Sequence, residues 1–411
     1  MTLPPSSSRP AHLLGLAVTA ALSISAATAA PAFATNGHHG TILGANDRNA
    51  VAGSYIVAFR DATMRTASIA PAATSLAAAH GGTAGHVFQY ALHGFEFVGD
   101  AAGAAAIAAD PRVKYVQQSH RFHITDAGAG TQTSPGWDLD RLDQKKLPLD
   151  RKYNYPGDGA GVTAYVVDTG IRYTHTEFGG RAVKGIDTQT PNGDANDCHS
   201  HGTHVAGSIG AKTYGVAKAV KLVGVRVMDC KGSGDDPQII AGLDWIAANA
   251  TGPSVVNMSI GGDPSQGIDD AVNKLIAKNI VVAVAAGNGD DLGNPQDACN
   301  YSPARVPDAL TVAATSSDDS PTWFTNYGKC VDIFAPGENI KSATNTSDTA
   351  TTTKDGTSQA CPHVVGAAAL IMAANPTFTP AQVAASLAKN ASAGVVRNPK
   401  AGTPNLLLNV G

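Results

Sequence analysis

From Val162 to Ala286 the chain alternates near-continuous apolar runs with segments long enough for helices. Val162–Val167, Lys221–Val227, Ser254–Met258 and Ile280–Ala286 are the runs, and Gln238–Ala250 and Ile268–Lys278 the most regular helical segments. Strands that are apolar at every position have to be covered on both faces. The pattern therefore predicts an α/β fold, a doubly wound, mostly parallel sheet. In such a sheet ligands collect beyond the carboxyl ends of the strands. A further unbroken run, Val364–Ala374, predicts a buried helix with Ser358 at its N-terminus. Pro362 is expected in the first turn of that helix, where its missing N–H costs no hydrogen bond.

The first part of the chain has a different texture. Ser54–Phe59, Val87–Ala91, Phe95–Val98 and Val113–Val116 read as strands, and Ala62–Ala79 and Ala101–Ala109 as alanine-rich helices. The order β-α-β-β-α-β predicts a small ferredoxin-like α+β domain. It runs into Asp126-Ala127-Gly128-Ala129-Gly130-Thr131-Gln132-Thr133, expected to be flexible and easily cut. Residues 1–34 carry the marks of a secretory signal: Arg9, the apolar run Leu13–Ile24, and small-residue cleavage sites at Ala27-Thr28-Ala29 or Ala32-Phe33-Ala34. That run is too short to span a bilayer, and no other stretch is expected to approach the length required. The expected organisation is a signal peptide at 1–34, a small domain at 35–129 and a large one at 130–411.

Composition narrows the function by exclusion. The 411 residues carry a formal net charge of −4, with 15% charged residues and no basic run. Neither nucleic acid nor an anionic membrane is expected as a partner, and no membrane at all once the signal is removed. Export permits disulfides. Of the five cysteines (Cys198, Cys230, Cys299, Cys330 and Cys361), four can pair in three ways and one is left over.

Three polar clusters stand where the apolar runs end. Asp168 closes the first run in Val167-Asp168-Thr169-Gly170, a position where a carboxylate is commonly satisfied by turn amides. His201 opens His201-Gly202-Thr203-His204-Val205-Ala206-Gly207, with Gly202 allowing a close approach. His204 reads as structural, because the His-x-x-His spacing has no third ligand cluster beside it. Asn288 follows Gly287 at the end of the fourth run, and Ser358 sits in Gly356-Thr357-Ser358 at a helix start whose free N–H groups can stabilise an anionic oxygen. Each signal alone has an ordinary structural explanation. Together they place acid, base and nucleophile in the chain order Asp, His, Ser.

On these motifs, with Trp137 before them and Thr403-Pro404-Asn405-Leu406 after, the chain resembles the subtilisin-like serine proteases, nearest their secreted proteinase K-type branch. The resemblance implies a triad of Asp168, His201 and Ser358, with Asn288 and the Ser358 N–H holding the oxyanion. Losing a donor such as Asn288 is expected to cost ~10²–10³ in turnover, the range known for subtilisin itself. Gly232-Ser233-Gly234 and Ser259-Ile260-Gly261 resemble the two edge segments that clamp an extended peptide by main-chain hydrogen bonds, which implies broad specificity. The resemblance pairs Cys198 with Cys230 and Cys299 with Cys330, each closing a loop worth roughly 3–4 kcal/mol. It also implies structural calcium but no catalytic cofactor. One calcium set is the Pro307 and Ala309 carbonyls with Asp332, and a second is Asp140, Asp143, Gln144 and Asp150.

Several positions depart from the family pattern without removing a catalytic group. His199-Ser200 stands where Asn-Gly is usual, Trp137-Asp138 where Trp-Gly is common, and Gln359 and Cys361 where Met and Thr are common. The expectation is a secreted, monomeric endopeptidase acting on proteins and peptides, with residues 35–129 as its own inhibitor and chaperone. Two rivals fail. An esterase of the α/β-hydrolase kind needs a second glycine that Gly356-Thr357-Ser358-Gln359-Ala360 lacks, and a different chain order. A non-catalytic binding relative would need a lost catalytic residue.

Overall fold

The computed structural model describes residues 41–45, 50–60, 64–89, 92–120, 128–290 and 292–411. The leader expected at 1–34, and residues 62–63, 90–91 and 126–127 of other expected segments, lie outside the described residues. The chain divides into two compact units, residues 1–124 and 125–411.

Among the described residues, the first unit comprises β1 (Ile42–Leu43), β2 (Ala50–Phe59), α1 (Thr66–Ala79), β3 (Thr83–Phe88), β4 (Gly94–Val98), α2 (Ala101–Ala108) and β5 (Val113–His120). Its sheet runs β1-β5-β2-β4-β3, the ferredoxin-like order with one short strand added at an edge. Tyr55, Val57 and Phe59 of β2 and Phe95 and Phe97 of β4 bury against Ile69, Ala73 and Leu76 of α1 and Ile107 of α2. The third strand starts at Thr83, not Val87. Thr83-Ala84-Gly85-His86 lacks apolar alternation, and pairing with β4, irregular between Ala84 and Val87, supplies what local pattern does not.

The second unit comprises β6 (Gly130–Thr133), α3 (Trp137–Leu142), β7 (Lys152–Tyr155), β8 (Thr163–Asp168), β9 (Ala182–Asp187), α4 (His201–Gly210), β10 (Lys221–Arg226), α5 (Asp236–Asn249), β11 (Ser254–Met258), α6 (Gln266–Ala277), β12 (Val281–Ala285), β13 (Leu310–Thr315), β14 (Ile333–Pro336), β15 (Ile340–Ala343), β16 (Thr351–Lys354), α7 (Thr357–Ala374), α8 (Pro380–Asn390), β17 (Ser392–Ala393) and β18 (Leu406–Leu407). Its main sheet runs β17-β18-β14-β13-β12-β11-β8-β10-β9, parallel except for the β17–β18 pair. The strand order reverses at β8, with β10 on one side and β11 on the other. That reversal opens a crevice at the carboxyl end of β8, where Asp168 sits.

Alternation along β8 shows how the sheet is covered. Ala164 and Val166 join a core with Val205 and Ile209 of α4 and Val364 and Ala368 of α7. Tyr165 and Val167 face the other way, onto Ile239, Leu243 and Ile246 of α5 and Val272 and Leu275 of α6. The expected doubly wound sheet is therefore present. Helix α7 is long and apolar enough to cross a membrane, contrary to the expectation that no other stretch approaches that length. In the fold 78% of its residues are buried, and a helix packed through the middle of a core must be apolar nearly all round.

The segment expected to be flexible up to Thr133 is ordered from Gly130. Strand β6 pairs antiparallel with β7, Gln132 Nε2 donates to the Thr213 carbonyl at 3.0 Å, and Lys218 Nζ donates to Gln132 Oε1 at 2.7 Å. Gly and Thr are frequent in loops, but paired Thr131 and Thr133 suit a strand equally well. Arg141 of α3, fully buried, makes a two-pronged pair with Asp319 at 2.7 and 3.1 Å. Removing one partner of such a pair costs roughly 3–5 kcal/mol.

Candidate active site

At the end of β8 the Asp168 carboxylate is fully buried and accepts the Thr169 N–H at 2.7 Å. Its main-chain carbonyl is held by the N–H groups of Val227 and Met228. His201, the first residue of α4, brings Nδ1 within 2.8 and 2.9 Å of the two Asp168 oxygens. Gly202 makes this approach possible, since a Cβ there would lie 2.2 Å from the Gly170 carbonyl oxygen and 3.2 Å from Asp168 Oδ1. Burial disfavours the charged imidazole, but the Asp168 charge and hydrogen bond, aided by Asp197, outweigh it and raise the His201 pKa above its ordinary value. His201 nevertheless keeps 22% of its side chain exposed, so its other edge remains reachable.

The N-terminus of α4 is anchored by two groups. Thr169 Oγ1 accepts the Gly202 N–H at 2.9 Å, and Asp197 Oδ2 accepts the N–H and hydroxyl of Thr203 at 2.9 and 2.5 Å. Asp197 Oδ1 also takes the Thr169 hydroxyl and the N–H groups of His199 and Ser200. Asp197 was not among the expected site residues. The only sequence signal for it was a carboxylate shortly before a helix start. His204 is buried with Nε2 3.0 Å from the Ile340 carbonyl oxygen, and burial takes its pKa down to about 3, so it stays neutral.

Ser358 is the second residue of α7. Gly356 before it has φ +146°, in the region that favours glycine. The Thr357 N–H and hydroxyl both donate to Asn288 Oδ1, at 2.8 and 2.9 Å, which pins the amide by its oxygen. A Cβ on residue 356 would lie 3.5 Å from both Asn288 Nδ2 and the Ser358 nitrogen. Asn288 Nδ2 and the Ser358 nitrogen therefore both lie close to the Gly356 backbone. The Ser358 N–H has no acceptor among the described residues. Asn326, also not expected from sequence, shapes the Asn288 loop by donating to the Ala286 carbonyl and accepting from the Gly289 and Gln296 N–H groups. The Ser358 hydroxyl donates to the Ser259 carbonyl at 2.9 Å, so in this state it is turned to the strand edge.

Pro362 is not in the first turn. The helix starts at Thr357, so Pro362 is its sixth residue and the helical bond to the Ser358 carbonyl is missing. That carbonyl accepts the Ser259 hydroxyl instead, at 2.8 Å.

The two expected substrate segments border one cavity of about 530 Å³, lined among others by Gly234, Ile239, Ile260, Gly261 and Ile268. Gly232 and Ser233 lie in a turn closed by Asp229, whose N–H donates to the Ser233 carbonyl and whose carboxylate accepts the Ser233 N–H. Gly262, just past the other segment, exchanges two main-chain bonds with Ser302. Cys198 is bonded to Cys230 and Cys299 to Cys330, while Cys361 is free and buried.

Of the two calcium sets, Pro307, Ala309 and Asp332 line a cavity of about 540 Å³. The Asp332 carboxylate reaches solvent on one side but is ringed by protein, and this desolvation pushes its pKa up to about 6 against one Thr311 N–H. In the other set Gln144 Nε2 bridges Asp140 and Asp150 at 2.6 and 2.8 Å, and Asp143 Oδ2 accepts from Asn154. Asp143 Oδ1 is buried without a partner.

The departures acquire structural contexts. Asp138 is buried against His363 Nε2 at 3.1 Å, and His363 Nδ1 is 2.8 Å from the Gln359 carbonyl oxygen. Gln359 itself is buried, with Nε2 lacking a partner. Ser200 takes φ +95° immediately before His201, a conformation costly for any residue but glycine.

Comparison with known proteins finds relatives over most of the chain. The profile described as "Subtilase family" matches residues 159–411. An "Extracellular serine proteinase" of Thermus sp. is 45% identical over 96% of this chain and 97% of its own. The "Alkaline serine exoprotease A" of Vibrio alginolyticus is 44% identical over 90% and 69%. Among solved structures, a cold adapted subtilisin-like serine proteinase superposes with a TM-score of 0.65 at 50% identity, covering 68% of this chain and 99% of that one.

The Ser200 backbone yields a test. Ser200→Gly removes the side chain that disfavours φ +95°, partly offset by the larger freedom of glycine in the unfolded chain. We expect a net gain of ~0.5–1 kcal/mol, read as a raised melting temperature of the inhibited protein. A lowered melting temperature contradicts the strain argument.

Proposed function

The chain belongs to the subtilase family of serine proteases, and on that footing we propose that Asp168, His201 and Ser358 are its catalytic triad, in a secreted, self-processing endopeptidase of broad specificity. The observation that carries the reading is the fully buried Asp168 carboxylate on His201 Nδ1; Asn288 Nδ2 and the Ser358 nitrogen, both beside Gly356, support an oxyanion site.

The chemistry follows from these positions. Neutral His201 takes the Ser358 hydroxyl proton as Oγ bonds to the peptide carbonyl carbon. For this the hydroxyl turns from the Ser259 carbonyl to the imidazole; resting geometry is commonly loose in this way. Asn288 Nδ2 and the Ser358 N–H hold the oxyanion that forms. His201 then gives its proton to the leaving amine, and water repeats the sequence on the acyl-enzyme. Asp168 keeps the proton on Nδ1 and favours the imidazolium. The substrate lies along Gly232-Ser233-Gly234 and Ser259-Ile260-Gly261, and recognition by main-chain bonds leaves side-chain choice broad. The signal at 1–34 directs export, and residues 35–129 act as inhibitor and chaperone of residues 130–411.

Calcium at Pro307, Ala309 and Asp332 is the companion proposal. The Asp332 carboxylate, solvent-reaching but partly desolvated by the protein around it, shares one cavity with Pro307 and Ala309, and a divalent ion there would offset that desolvation. No ion is proposed at the second set: Gln144 places an amide donor between Asp140 and Asp150, and among the described residues no group of three or more carboxylate, histidine or cysteine side chains is arranged to hold a metal.

Chelation is expected to lower the melting temperature of the mature enzyme, because an ion bound only to the folded state stabilises it by mass action. Asp332→Asn removes most of that response. The effect also weakens as pH falls through about 6, where a proton competes for Asp332. A melting curve indifferent to chelator rules the site out.

Self-processing is tested by expressing Ser358→Ala with no other protease present. A peptide bond on the same chain meets the site at high effective concentration, so even a slow enzyme cuts itself once. Wild type should accumulate with an N-terminus near Gly130, whereas Ser358→Ala should stay a folded precursor inert toward casein. If Ser358→Ala is still cut near Gly130, maturation is the work of another enzyme.

A further inference from the structure

Pro362 opens α7 at one place only. It offers no N–H to the Ser358 carbonyl, four residues back. The Ser259 hydroxyl fills the gap at 2.8 Å and in turn accepts Asn257 Nδ2 at 2.9 Å. Asn257 is fully buried and Ser259 3% exposed, so water is a poor substitute for either. The Ser259 carbonyl meanwhile accepts the Ser358 hydroxyl at 2.9 Å. One residue at the end of β11 thus holds residue 358 twice, its carbonyl by a hydroxyl and its hydroxyl by a carbonyl. The buried Cys361 thiol lies against the same Ser259 side chain.

We propose that Ser259 is a positioning residue for Ser358, and that the proline at 362 makes it one. A helix that closed its own hydrogen bond would fix the Ser358 peptide to α7 alone. With Pro362 the peptide is fixed to the strand edge that receives the substrate, so nucleophile and peptide share one frame. A bound peptide that takes the Ser259 carbonyl frees the Ser358 hydroxyl toward His201, while the Ser259 hydroxyl keeps the residue 358 backbone in place. This rests on the reading of Ser358 as nucleophile and of Ser259-Ile260-Gly261 as peptide edge.

The test is a double-mutant cycle on the mature enzyme: wild type, Ser259→Ala, Pro362→Ala and the double variant, matured where needed by tagged wild-type enzyme that is then removed. Ser259→Ala should lower kcat by about tenfold with KM within about twofold, and slow phosphonylation of Ser358 in parallel. Ser259→Thr, which keeps the hydroxyl, should retain most of the rate. Pro362→Ala supplies the missing N–H, so the double variant should regain most of what Ser259→Ala lost. A Ser259→Ala enzyme with unchanged kcat, a loss confined to KM, or a double variant no faster than Ser259→Ala each overturns the proposal. If Ser259→Ala fails to accumulate, Pro362→Ala must restore the folded yield, and failure to do so also overturns it. A reagent that never labels Ser358 in wild type removes the parent reading instead, and is distinguished by that.

Discussion

A carboxylate with no access to water, facing one imidazole, is the interaction on which the site depends. Asp168 is fully buried at the carboxyl end of the strand where the sheet order reverses, and its charge is tolerable only because His201 Nδ1 and the Thr169 N–H meet it. Bringing His201 that close requires Gly202 against the Gly170 carbonyl, and Thr169 and Asp197 to satisfy the first N–H groups of α4. The strained Ser200 lies on the same path. The local order runs outward from the Asp168–His201 contact, and stability is spent on it.

The other half of the site is built by the opposite device. On α7 two hydrogen-bonding groups are left open: the Ser358 N–H, with no acceptor among the described residues, and the Ser358 carbonyl, released by Pro362. The nitrogen of the first lies, like Asn288 Nδ2, beside Gly356; the second is taken by Ser259. A helix start is ordinarily rich in unused donors. Here an interior acceptor is exposed as well, and both openings fall at the residue read as nucleophile.

Much of this was legible in the sequence because apolar runs and glycines report directly on packing. Strands apolar at every position announced a sheet covered on both faces, and β11 matches Ser254–Met258 as read. Gly202 and Gly356 marked the close approaches. What was not legible depends on contacts between distant segments. Asp197, Asn326 and the Arg141–Asp319 pair act through partners far along the chain or through loop geometry, which spacing does not encode. A helix read from the apolar run with Ser358 at its start puts Pro362 in the first turn; the helix starts at Thr357 instead, and the polar Thr357–Gln359 stretch is helical through its bonds to Asn288 and Gly356, not through hydrophobic period. Gly130–Thr133 looked like linker because its strand character comes from β7.

The most direct test of the account is the pH dependence of kcat/KM for the mature enzyme and for Asp168→Asn. With His201 as the proposed general base, the active form carries a neutral imidazole, so activity falls as pH drops through the His201 pKa. In wild type that midpoint should lie above the ordinary histidine value of ~6.5, because Asp168 favours the protonated ring by more than burial disfavours it. Asp168→Asn should move the midpoint down and lower the plateau. A wild-type midpoint at or below ~6.5, or one that Asp168→Asn leaves in place, would contradict the claim that this buried pair governs the site.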